Sequence, residues 1–127
     1  MATAWRVAVK DEPLQLVATR DIGPFAAQEF LRPDDFVGRA ISLAGVEPTL
    51  NAANTTLRRK VGHAMPETFH FLVRFIRLMS AECGTMFRWF HSEGYGANIS
   101  ALRKEYPGMT GFGDWIEVES GWLKKSD

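Results

Sequence analysis

Phe69-His70-Phe71-Leu72-Val73-Arg74-Phe75-Ile76-Arg77-Leu78-Met79-Ser80-Ala81-Glu82-Cys83-Gly84-Thr85-Met86-Phe87-Arg88-Trp89-Phe90-His91-Ser92 is the stretch on which the fold turns. At roughly 100° per residue, His70, Arg74, Arg77, Ala81, Gly84, Arg88, His91 and Ser92 gather into one polar stripe roughly 140° wide. The rest of the circumference is largely apolar, with Glu82 its one charged residue. The pattern predicts one long helix beginning near Met65-Pro66-Glu67 and ending about Ser92, before Gly94. Pro66 suits the first helical position and Glu67 the positive end of the helix dipole. So wide an apolar arc has two readings. Either the helix is the centre of the domain, or its edge at Phe71, Phe75, Leu78 and Trp89 is an interface, since large apolar patches seldom stay bare in water.

Working outward, Pro48 opens a helix to about Val61, with Gly62 after it as a stop. Leu50, Ala53, Leu57 and Val61 form its apolar stripe. Before it, Asp34 can cap a helix from Asp35 to Ala44 that ends near Gly45. Phe25 to Leu31 reads as a short helical segment between the breaker Asp21-Ile22-Gly23-Pro24 and Pro33. On the other side, Ser100 to Tyr106 is a helix stopped by Pro107-Gly108. In the tail, Asp114 can cap a last helix carrying Trp115, Val118 and Trp122, or Trp115 to Val118 can be a strand. At the N-terminus, Trp5 to Val9 alternates and Leu14 to Ala18 leans towards β, which suggests a hairpin. The expected fold is therefore mainly α, or α+β with a small N-terminal β-hairpin, with four to five helices packed around one long central helix. A chain of 127 residues fits a single domain. Its parts would be a hairpin within residues 1–20, a helical body over 25–106 and a Gly/Trp-rich tail over 109–127.

Hydrophobic residues make up 46% of the chain, enough for a core without staples. Fifteen basic and fifteen acidic side chains cancel, so no whole-molecule field draws the protein to nucleic acid or an anionic membrane. No apolar run typical of a secretory signal develops at the N-terminus, and His70, Arg74 and Arg77 break the most apolar stretch. These features suggest a cytoplasmic protein of bacterial or phage type without a membrane span.

Catalytic and metal chemistry find little support. Cys83 is the single cysteine and falls on the apolar side of the long helix, where a thiolate is disfavoured. His63, His70 and His91 do not pair at ligand spacing. Gly108 to Gly113 lacks both the preceding strand and the following lysine of a phosphate loop. No catalytic residue, metal or cofactor is expected, and His70, Arg74, Arg77 and Arg88 read as a solvated face.

One local pattern points elsewhere. The run from Arg39 through Gly45-Val46 to Asn51 resembles a helix-turn-helix, over about 25 residues. The resemblance implies a DNA-binding regulator using residues 35–61, with Asn51, Asn54, Thr55, Arg58 and Arg59 on bases and phosphates. A plain helical hairpin with a solvated second helix is the competing reading. Aromatic, methionine and arginine side chains are enriched at protein interfaces, and this chain concentrates them on the long helix and the tail. The preferred expectation is a small non-catalytic regulator that binds and modulates or inhibits another protein. Anti-activators, anti-defence proteins and toxin-neutralising proteins are of this type. The expected interface residues are Phe71, Phe75, Leu78, Trp89, Phe112, Trp115 and Trp122, and a homodimer is expected.

Overall fold

The computed structural model describes residues 2–10, 12–67 and 81–123. The architecture is mainly helical. Its elements are α1 (Ala2–Val9), α2 (Thr19–Leu31), α3 (Pro33–Phe36), α4 (Leu50–Val61), α5 (Ala81–Ser92), α6 (Ile99–Glu105) and α7 (Phe112–Val118). Among the described residues, two apolar clusters organise it. In the larger, Ala2, Trp5 and Val9 of α1 meet Leu50, Ala53 and Leu57 of α4, Met65, and Ile116 of α7. In the smaller, Phe25 of α2, Leu102 of α6 and Met109 gather with Ile41, Leu43 and Tyr106 around them. No helix among the described residues is long and apolar enough to cross a membrane.

The expected N-terminal hairpin is not formed. Residues 2–9 are helical because Ala2, Trp5 and Val9 recur at helical spacing, and that face is the one buried. The alternation of Trp5, Val7 and Val9 fits a strand equally well, and packing against α4 and α5 decides the matter. The helix stops at Lys10, a non-glycine residue at φ 56 whose amide donates to the Arg6 carbonyl. The second β-leaning run does extend, but towards another partner. Leu16 and Val46 exchange backbone hydrogen bonds of 2.9 and 3.2 Å as a single antiparallel bridge. Gly45 lies at this crossing, where a Cβ would come within 3.1 Å of the Thr110 carbonyl oxygen.

Three further expectations need correction. Asp21-Ile22-Gly23-Pro24 lies inside α2 rather than ending anything. Asp21 is buried, and its carboxylate accepts both the Thr110 amide (2.7 Å) and the Thr110 hydroxyl (2.8 Å). A tertiary tether and the burial of Phe25 thus override the local breaker. The expected helix from Asp35 to Ala44 shrinks to one turn, with Pro33 in its first turn, because Gly38 turns left-handed at φ 76. Beyond Gly38, Ile41 and Leu43 reach the smaller cluster from irregular chain. Met65, Pro66 and Glu67 are not helical, so the long helix does not begin there. Its end at Ser92 holds, and the stretch between, with Phe71, Phe75 and Leu78, lies outside the described residues.

Helices α4 and α6 follow the local code. Thr49 caps α4 by accepting the Ala52 amide at 3.2 Å, and Gly62 closes it at φ 84. Leu50, Ala53 and Leu57 are buried as the stripe requires, with Val61 half-buried. Asn98 caps α6, which ends just before Tyr106-Pro107-Gly108. The tail is helix, not strand, over Phe112–Val118, and it packs on α4 through Ile116.

Candidate functional site

Helix α7 starts where Gly111, in extended conformation, donates its amide to the Asp114 carboxylate at 3.3 Å. Asp114 therefore acts from the third helical position rather than as the cap. That start sends Phe112 and Trp115 to one side, their rings nearly parallel (13°) with centroids 6.2 Å apart. After α7, the amides of Glu119 and Ser120 both close on the Trp115 carbonyl. The turn brings Trp122 back to the same side, with its ring 6.4 Å from that of His63.

These three aromatics form one wall of an apolar cleft of about 460 Å³. Trp5 of α1, Met65 and Phe90 of α5 supply the opposite wall, and Leu14 and Leu16 of the extended arm complete it. No charged side chain lines the cleft among the described residues; Thr19 and Thr110 are its hydroxyl-bearing residues. The Thr110 hydroxyl is committed to Asp21, so the cleft offers almost pure apolar contact. Its size falls within the range of small-molecule and side-chain pockets, about 300–1,000 Å³. Trp5 is 8% exposed, and its indole N–H is buried with no hydrogen-bond partner among the described residues.

Comparison with protein-family models and with curated proteins finds no match. What the cleft does therefore has to be argued from its own chemistry.

The structure unites Phe112, Trp115 and Trp122 at one place, as an interface reading requires, and separates Trp89 from them. Trp89 instead packs edge-on against Tyr95 (5.0 Å) and beside the wall residue Phe90 (5.5 Å), without lining the cleft itself. Phe71, Phe75 and Leu78 lie outside the described residues. Sequence reasoning missed the opposite wall altogether. The signal for Trp5 was the Ala2/Trp5/Val9 spacing, which was read as a strand. Leu14, Leu16 and Met65 carry no local signal, because only tertiary folding brings them to α7.

The helix-turn-helix does not form, because residues 37–49 are not helical and α4 has no preceding helix at the required spacing. Asn51, Thr55, Arg58 and Arg59 are exposed on α4, but the Thr55 hydroxyl is turned back on the Asn51 carbonyl at 2.9 Å. Asn54 is half-buried, and its side-chain oxygen accepts the Met65 amide at 3.0 Å. A second cleft of about 550 Å³ between α2, α3 and α6 carries Arg32, Asp35, Arg39 and Glu105. Its charges are spent internally, since Arg32 pairs with Glu105 and Asp35, and Arg39 donates to the Asp35 carbonyl.

Proposed function

We propose that the protein is a non-catalytic docking module that seats an apolar segment of another protein in the cleft between α1, α5 and α7, and so modulates or inhibits that protein. The observation that carries this reading is the meeting of Phe112, Trp115 and Trp122 with Trp5 and Phe90 around one cleft. Half-buried tryptophan and phenylalanine rings in a concave, desolvated site are the side chains from which binding hot spots are built. The walls present no ionisable side chain among the described residues, which favours burial of apolar surface over acid–base or nucleophilic chemistry. Small regulators of bacterial or phage type act by such docking. Occupation by a second copy of the chain is the homodimeric form of the same reading.

The test is the partner complex of the wild-type protein against that of Trp115→Ala/Trp122→Ala, with folding followed by circular dichroism. The expected result is a folded variant whose partner dissociates at least tenfold more readily, as the loss of two hot-spot rings requires. Sedimentation at micromolar concentration separates a foreign partner from self-association. A partner held equally well by both proteins overturns the reading.

A further inference from the structure

Next to the apolar cleft lies a smaller groove of about 240 Å³, lined by Glu12, Glu47 and Glu93 together with Leu14, Phe90 and Tyr95. Leu14 and Phe90 belong to both, so the two surfaces are continuous. The three glutamates are exposed, and none forms an ion pair among the described residues. No lysine or arginine lines either groove there. The carboxylates on the far side of the cleft differ: Glu117 pairs with Lys60 and Glu119 with Arg20. Among the described residues this leaves a local excess of negative charge beside the aromatic walls, in a chain of zero formal charge.

We infer that the cleft's occupant is a basic amphipathic peptide segment, with its apolar side chains against Trp115, Phe112 and Trp122 and its lysines or arginines over Glu12, Glu47 and Glu93. The inference rests on the docking function proposed above and adds the partner's chemistry. An apolar cleft and an acidic groove side by side call for apolar and cationic groups carried on adjacent faces. An amphipathic helix supplies that arrangement through residues three and four apart. The carboxylates contribute complementarity, steer encounter and reject acidic segments.

The experiment titrates the full chain with three fluorescein-labelled peptides of one amphipathic helical pattern, differing only in the polar residue: Leu/Lys, Leu/Gln and Leu/Glu. The Leu/Lys peptide is expected to bind roughly tenfold tighter than the Leu/Gln peptide at low salt, and the Leu/Glu peptide weakest. The preference should vanish in the Glu12→Gln/Glu47→Gln/Glu93→Gln variant. It should also shrink with added salt in the unmodified protein, a readout that does not depend on how the variant folds. Equal binding of all three peptides, abolished by Trp115→Ala/Trp122→Ala, overturns the inference and leaves the docking function standing. Binding of none overturns both. Saturable binding of dodecylammonium with no peptide binding assigns the cleft to a small cationic amphiphile and likewise overturns the peptide.

Discussion

Asp21 shows how much a single side chain holds together. It sits in the first turn of α2, is 1% exposed, and takes both hydrogen bonds that Thr110 can give it. Asp21→Ala strands the part-buried Thr110 amide and hydroxyl next to the cleft. Urea unfolding should therefore show a loss of about 1–3 kcal/mol, larger than that of an ordinary surface substitution. Gly62 is a cleaner case. At φ 84 with nothing within 4 Å of a built Cβ, Gly62→Ala meets no clash, only the cost of a left-handed backbone. The expected loss is about 1 kcal/mol, read from the shift of a urea midpoint with unchanged slope. Gly62 was readable in the sequence as a helix stop. Asp21 was not, because its role depends on a residue 89 positions away.

At the scale of elements, α7 separates core from surface within two adjacent residues. Ile116 is fully buried against α4, whereas Trp115 is half-buried on the cleft wall. Ile116→Ala should cost about 2–5 kcal/mol in thermal or chemical unfolding. Trp115→Ala should cost less than the roughly 3–5 kcal/mol of a fully buried aromatic and fall instead on partner affinity. Equal stability losses at both positions would place Trp115 in the core and remove it from the docking surface. Helices α4 and α6 were legible because caps, stops and apolar stripe agree over a short window, whereas α7 read equally as helix or strand, and it starts from Gly111 rather than Asp114 and ends at Val118, before Trp122. The N-terminus and residues 35–44 were not, because Trp5-Arg6-Val7-Ala8-Val9 satisfies both periods and Gly38 interrupts an otherwise helical pattern. The aromatic wall of the cleft was legible from residue type alone. The opposite wall, drawn from α1, the Leu14–Leu16 arm and α5, required the tertiary fold.

For the whole molecule, the apolar surface is unevenly distributed. Phe30, Leu31 and Val37 are 79–86% exposed around the α2–α3 junction and belong to neither core cluster. Their replacement should leave stability nearly untouched: Phe30→Ser/Leu31→Ser is expected to stay within about 0.5 kcal/mol per site of the parent in a thermal melt. A larger drop would show that these side chains are covered in solution.

The tethers also bear on how the chain reaches its fold. Gln15 exchanges two hydrogen bonds with the Ala97 backbone, 82 residues on, and Asp21 reaches 89 residues to Thr110. Arg103 reaches back 58 residues to the Gly45 carbonyl, and Lys60 joins Glu117 across 57. Each of these closes a long loop, whose entropy is lost before the contact returns anything. A mainly helical protein built this way should fold more slowly than bundles of neighbouring helices, with a rate nearer that of mixed topologies. On the ribosome, α1, the extended arm and α5 must wait for residues 112–122 before the aromatic wall can complete the cleft. Until then Trp5, Leu14 and Met65 are open to chaperones, and the docking surface comes into being only with the last helix.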